Sequence, residues 1–374
     1  MIYVTIVGLP VVLAFLSDKT KGVLSTIFAL LALSIPVIFA AARDTTVGTD
    51  VMTYGVWTYR SATLSGFASF MESQAAVAAP GYNLVAWLTG HYGSFEIYLG
   101  ALQFLVVAPV YLYARRRYPD CSWPAMAAYM LLLFPISLNA MKQMIAVALC
   151  LPAFGFIERR QPIKYVVCVL AICLLVHQTA IVVLALYPVA RLLMTSQNAE
   201  SAFFGRAQAL SAVIIIAGLL VAVFAGGGYF IEAFSGLKES YAYQLNASGV
   251  RVNYSALIMA AYFAFALVIQ RTPKAAEGLN GGFSDCDLLC IICLVAFIAT
   301  QLNMVADSMG RLSYYCMAFV PLYASRLILP GETGRRRALG IGCTLMLIAY
   351  FYIVCVVNGG NGAYPYTSAV LGVC

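Results

Sequence analysis

Residues 23–42 read VLSTIFALLALSIPVIFAAA, a run with no charged position. At 1.5 Å of rise per residue, a helix of this length spans about 30 Å, the hydrocarbon thickness of a bilayer. A barrel strand would alternate apolar and polar residues over about ten positions. This run is continuously apolar. Lipid offers no partner to backbone N–H and C=O groups, so a spanning segment must satisfy them within itself. The stretch therefore reads as a transmembrane helix.

The rest of the chain repeats the pattern. Of 374 residues, 63% are hydrophobic and 10% charged, whereas a soluble domain carries about 25% charge. Too little polar surface exists to face water, so the bilayer must act as the solvent for much of the chain. Division at the polar breaks gives candidate spans at 2–17, 22–42, 93–113, 122–139, 143–157, 163–177, 178–192, 209–225, 254–270, 287–305, 312–329 and 338–357. The expected fold class is all-α: a polytopic integral membrane protein of about 12 transmembrane helices, with residues 1–374 as one transmembrane domain. The first apolar segment lacks an obvious cleavage site and is followed by further spans, so it reads as a span and not a signal peptide. Two pairs of spans meet almost without a loop, at Asn139–Lys142 and at His177–Gln178. Helices of about 15 residues reach only about 22 Å. These are expected to tilt little, to form half-membrane hairpins or to meet at a cavity.

Charge sets the orientation. Sixteen of the 22 basic residues fall on one side of this topology, including Lys19, Lys21, Arg115, Arg116, Arg117, Arg335, Arg336 and Arg337. Six fall on the other: Arg43, Arg60, Lys142, Lys238, Arg251 and Arg311. The bias places both termini outside. The net charge of +7 is thus a topology signal, and no nucleic-acid partner is expected. Most of the eleven cysteines lie in apolar runs, such as Cys150, Cys168, Cys173, Cys290 and Cys293. Cys290 and Cys293 have a CxxC spacing, but in mid-span and without a nearby histidine. Neither a disulfide framework nor a metal site is expected.

Three outer segments are long enough to form a site: the loop 43–92, the loop 226–253 and the tail 358–374, NGGNGAYPYTSAVLGVC. Residues 62–90 carry aromatics at roughly helical intervals and suit an amphipathic helix at the interface. The inner loops are mostly short and basic, and no GxxxxGK[ST] phosphate cradle occurs in them. The chemistry is therefore expected at the outer surface.

Each outer cation needs a reason. Arg43 ends a span and reads as a snorkelling side chain or an anion ligand. Lys142, in NAMKQMIA, has apolar sequence on both sides and is costly unless it faces a cavity or an anion. Arg311, in VADSMGRLSYY, reads as a partner of Asp307 or of a ligand. His177, in LLVHQTA, is a hydrogen-bonded structural group or a proton acceptor. His91 reads as interfacial. The four residues Arg43, Lys142, His177 and Arg311 are far apart in sequence, yet the topology lands all of them at the outer boundary. A lipid-linked diphosphate would place its charge at that depth. Arginine binds phosphate bidentately and lysine as a point charge, and such cations would stabilise a departing diphosphate.

At these residues the chain resembles the EpsG family of bacterial membrane proteins, related in role to Wzy-type polysaccharide polymerases. RDTTVGTDVMTY (43–54) is similar to the family's pattern of Arg, then Val-Gly-Thr-Asp, then Tyr. NAMKQMIAVAL (139–149) is similar to its Asn-x-Arg-Gln-x-Ile-Ala segment, with Lys142 where arginine is usual. VHQTAIVVL (176–184) is similar to its His-x-Ser/Thr-Ala segment. GRLSYY (310–315) and PYTSAV (365–370) fit more loosely.

The resemblance implies a glycosyltransferase polymerising repeat units carried on undecaprenyl diphosphate at the outer face of the bacterial cytoplasmic membrane. The product would be an O-antigen, capsule or exopolysaccharide. By motif, Arg43 and Lys142 would engage the diphosphate, joined by Arg311, and His177 would orient or deprotonate the acceptor hydroxyl. Asp50 and Tyr54, and Tyr241, Tyr243 and Arg251 of the second outer loop, are the sugar-binding candidates. No cofactor or metal is expected; membrane lipids are partners, and a flippase and a chain-length regulator are the protein partners left open. Three other readings stand beside this one. A flippase for lipid-linked glycans is disfavoured because all fifteen acidic residues fall in loops or near span ends, Glu96 coming nearest to an interior position. A metal-assisted transferase of isoprenyl-phosphate sugars would use Asp44 and Asp50 as base or ligand. A polysaccharide acetyltransferase would need a cytoplasmic acyl donor, for which no motif is present.

Overall fold

The computed structural model of the chain describes residues 2–74, 79–195, 252–271, 284–304 and 307–373. Among the described residues the protein is helical. Extended pairing is confined there to an isolated bridge between Ser368 and Val373. The chain packs as two compact units, Met1–Leu184 with Val320–Cys374, and Ala185–Phe319.

Among the described residues, six helices are long and apolar enough to cross a membrane. They are Ile2–Lys19 (α1), Gly22–Ala42 (α2), Phe95–Arg117 (α6), Met141–Glu158 (α9), Asp285–Met304 and Gly334–Val357. Shorter apolar helices occupy Trp123–Asn139, Pro162–Leu175 (α10), Gln178–Arg191 and Tyr254–Gln270. The chain is thus an all-α, membrane-embedded protein. The expected span 209–225 and nearly all of the expected outer loop 226–253 lie outside the described residues. The expected span 312–329 is not one helix: turns at Arg311–Ser313 and Tyr314–Met317 precede the helix Val320–Ile328. Pro321 has no N–H to give the preceding turn, so the helix restarts there.

In the first unit α6 and α9 are central. Of the α9 span 72% is buried, against 28% of α1 and of α2. The outer faces of α1, α2 and the last helix show lipid-type surface, with Val4, Val23 and Leu345 exposed. Helix starts follow their local chemistry. The Ser94 hydroxyl accepts from Ile97 N at 3.3 Å and so caps α6. Pro162 opens α10, where its missing N–H costs nothing. α9 stops where Arg160 takes a left-handed φ of 57° and Gln161 N reaches back to Phe156 O at 2.9 Å.

The basic ends of these helices are tied down. The Asp18 carboxylate accepts from Ser122 N at 2.6 Å, Ser122 Oγ at 2.7 Å and Trp123 N at 2.8 Å, joining the end of α1 to the start of Trp123–Ala128 (α7). Arg117 pairs with Glu158 at 2.6 Å, and Glu332 accepts from both Arg326 and Arg336.

The loop after α2 is mostly helical. A π turn at Val51–Gly55 leads into Val56–Leu64 (α3), followed by Phe67–Ser73 (α4) and Pro80–Tyr92 (α5). Among the described residues the expected amphipathic segment 62–90 is therefore not one helix: it takes in the end of α3, then α4 and α5. Trp87 clasps them, donating to Ser65 O at 3.2 Å and stacking on His91 at 4.3 Å.

Candidate functional site

The loop 43–50 leaves α2 and is fastened on two sides. On one side stands the break between Phe134–Asn139 (α8) and α9. The Asn139 side-chain carbonyl there accepts from Thr49 Oγ1 and from Asp50 N, both at 2.8 Å. Gly48 makes this approach possible. Its φ is +93°, and a β-carbon would stand 2.3 Å from the Leu138 carbonyl oxygen, so only glycine fits.

On the other side stands the C-terminal tail. Asp44 N donates to Thr367 O at 3.0 Å and Gly48 N to Gly362 O at 2.8 Å. Ala369 N donates to Asp44 Oδ1 at 2.9 Å, and Ser368 Oγ to Ala42 O at 2.5 Å. The segments 43–54, 139–149 and 365–370, distant in sequence, thus meet at one place.

Arg43 lies at the centre of this meeting. It is 6% exposed. Its Nη2 donates to Met141 Sδ at 3.4 Å, while Nε and Nη1 have no hydrogen-bond partner. Burial pulls the guanidinium well below its usual range, to about 10, with Tyr366, Tyr98 and Tyr82 acting the other way. It stays charged at neutral pH, buried against a thioether that accepts only weakly. A buried cation left so poorly matched costs several kcal/mol. An anion would remove that cost.

Met141 is the first residue of α9 and Lys142 the second. The positive end of the α9 dipole therefore points toward Arg43. The Lys142 ammonium stands 5.3 Å from the centroid of the Tyr82 ring. Tyr82 is 2% exposed and accepts a hydrogen bond from the Tyr98 hydroxyl. Burial pushes the Tyr82 hydroxyl up to about 12; Asp50 acts in the same direction and Arg43 against it. Asp50 and Arg43 are therefore both within electrostatic reach of this ring. Burial likewise pushes Tyr366 up to about 12, and its hydroxyl donates to Phe39 O at 2.8 Å.

His177 sits at the break after α10. Its Nδ1 lies 2.7 Å from Thr179 Oγ1 and accepts from Thr179 N at 3.3 Å. An accepting Nδ1 puts the proton of the neutral ring on Nε2. Arranged this way, the imidazole presents a donor at Nε2. The break touches the rest of the site through α5, where a β-carbon at Gly81 would meet Leu175 O at 2.9 Å.

The structure thus gathers Arg43, Lys142 and Asp50, and attaches the His177 turn to them through Gly81 and Tyr82. Tyr54 is 55% exposed on its π turn. Arg311 belongs to the second unit, at the start of the turn Arg311–Ser313. Tyr241, Tyr243 and Arg251 lie outside the described residues. Asn139, Tyr82, Tyr98 and Tyr366 are parts of the site that the sequence reading did not single out. Asn139 and Tyr366 at least fall inside motifs it quoted. Among the described residues no three His, Cys, Asp or Glu side chains cluster as metal ligands would.

No curated protein and no solved structure matches the chain. A family model does: that of the EpsG family, over residues 26–368. The match takes in Arg43, Lys142, His177 and the tail as far as Ser368, and the chain belongs to the EpsG family, whose members are Wzy-type polymerases.

Proposed function

We propose that the chain joins glycan repeat units carried on undecaprenyl diphosphate, at the outer face of the bacterial cytoplasmic membrane, in O-antigen, capsule or exopolysaccharide synthesis. Family membership gives the general class, a polysaccharide polymerase. The observation that carries the finer reading is the buried Arg43 guanidinium, with Nε and Nη1 unmatched, beside the start of α9.

In this reading Arg43 takes the diphosphate as a fork and Lys142 as a point charge. The dipole of α9 adds to the same field. The acceptor hydroxyl oxygen attacks the anomeric carbon of the donor glycan. The bond from that carbon to the diphosphate oxygen breaks, and undecaprenyl diphosphate leaves with the electron pair. Its growing charge falls on cations already in place, which is the form of stabilisation that needs no reorganisation. We assign that task to Arg43 and Lys142 instead of a metal.

The hydroxyl proton goes to a carboxylate, and Asp50 is the one we assign. Asp50 is fixed beside the site by its backbone N–H on the Asn139 side-chain carbonyl and lies within electrostatic reach of Tyr82. His177 orients the acceptor oxygen by donation from Nε2. Tyr54, exposed on its π turn, holds glycan.

The test uses purified protein in nanodiscs with a short undecaprenyl-diphosphate oligosaccharide, with and without EDTA. A product ladder on a gel that survives EDTA and disappears with Arg43→Ala supports the reading. A ladder that EDTA abolishes would return the metal-assisted transferase. Absence of a ladder, with lipid-linked substrate crossing the bilayer in liposomes, would make the protein a transporter.

A further inference from the structure

A lysine is a flexible way to hold a phosphate. Its four-carbon stem leaves the ammonium many positions, whereas a guanidinium fork orients itself on its ligand. In this protein the Lys142 ammonium lies over a buried, hydrogen-bonded ring, 5.3 Å from its centroid. Tyr82 is buried. Its hydroxyl is tied to that of Tyr98, which is itself fully buried. The Tyr98 ring in turn packs on Tyr59 at 5.6 Å and on Phe95 at 6.0 Å between centroids. From the chain side, Pro80 opens α5 with a fixed φ, and Gly81 seats the helix start against Leu175 O. Hydroxyl and ring of Tyr82 are thus held by Tyr98 of α6, and its backbone by the seat of α5 on α10.

We propose that Tyr82 is the positioning residue of the diphosphate site. Its ring face holds the Lys142 ammonium, and its fixed place in α5 sets where that charge stands relative to Arg43 and to the His177 turn. The proposal rests on the reading of the site as a diphosphate site. A ring face attracts a cation through its quadrupole.

The experiment measures binding of undecaprenyl diphosphate to the protein in nanodiscs, with Tyr82 replaced by Phe and then by mono-, di- and trifluorinated phenylalanine. Fluorine withdraws the ring's negative face while nearly keeping its shape, so the series varies the attraction without opening a cavity. Tyr82→Phe should bind within about threefold of the natural protein, and trifluorination should weaken binding roughly tenfold, in steps. In a Lys142→Met background the same series should be flat. A flat series with Lys142 present, or an equal slope without it, overturns the proposal while leaving the diphosphate site standing. Failure of the unsubstituted protein to bind undecaprenyl diphosphate overturns the diphosphate reading and this one with it.

Discussion

The Arg43 guanidinium ends against the first residue of α9: its Nη2 donates to Met141 Sδ at 3.4 Å across 98 positions of sequence. Thioether sulfur is a weak acceptor. The contact places the charge without satisfying it.

This geometry predicts opposite effects on stability and function. Arg43→Met exchanges an unmatched buried cation for an apolar side chain of similar length. Buried charges replaced in this way often leave a protein more stable by about 1–4 kcal/mol. The variant is therefore expected to melt at or above the temperature of the natural protein in ligand-free nanodiscs, and to produce no glycan ladder. A variant that is inactive because it melts well below the natural protein would instead make Arg43 a structural residue.

Gly48 gives the second prediction. With φ at +93° and the Leu138 carbonyl 2.3 Å from a would-be β-carbon, Gly48→Ala meets both backbone strain and a backbone clash. Such strain costs of order 1–3 kcal/mol. The loop should draw back from Asn139, and undecaprenyl-diphosphate binding should fall along with the melting temperature. Asn139→Ala removes the acceptor of Thr49 Oγ1 and Asp50 N without the clash. It should reproduce the binding loss with a smaller change in melting. Unchanged binding in both variants would show that the loop 43–50 does not shape the site.

The proton's destination separates two residues. Nδ1 of His177 accepts from Thr179 N, so the neutral ring donates at Nε2 and His177→Gln can supply a similar amide N–H. That variant should keep kcat within about tenfold, with most of its loss in the KM for acceptor. Asp50→Asn removes the base and should lower kcat by about 10²–10⁴. If His177→Gln gives the large kcat loss and Asp50→Asn the small one, His177 is the base.

Much of this was legible beforehand, for reasons that differ by residue. The run 23–42 declares itself because bilayer thickness fixes a length. Arg43 and Lys142 stand out because a cation next to apolar sequence carries a cost that needs an explanation. Tyr82, Tyr98 and Tyr366 carry no such mark, since membrane boundaries are rich in tyrosine and tryptophan for general reasons. Gly48 reads as a turn in sequence. Its real constraint, a carbonyl beyond the next long helix, exists only once α8 is in place. The count of spans was the least legible quantity, because apolar composition does not reveal where a helix restarts, as it does ahead of Pro321.

A pH series distinguishes the two roles of Arg43 by sign. Burial holds its folded-state value near 10, below that of the unfolded chain. Below about 10 the folded protein carries a charge that costs stability. As pH rises through that value the folded state releases the proton before the unfolded state does. The unfolded chain then binds more protons, and this contribution to stability rises with pH. Anion affinity does the reverse, because the neutral side chain no longer attracts a diphosphate. The measurement is the melting temperature between pH 8 and about pH 11, with and without undecaprenyl diphosphate, in a Lys142→Arg background where the second cation stays charged throughout. Relative to the same protein carrying Arg43→Met, the ligand-free midpoint should gain above about pH 10, while the shift produced by ligand should shrink. A ligand shift that persists unchanged to pH 11 would mean that the diphosphate is held by groups other than Arg43.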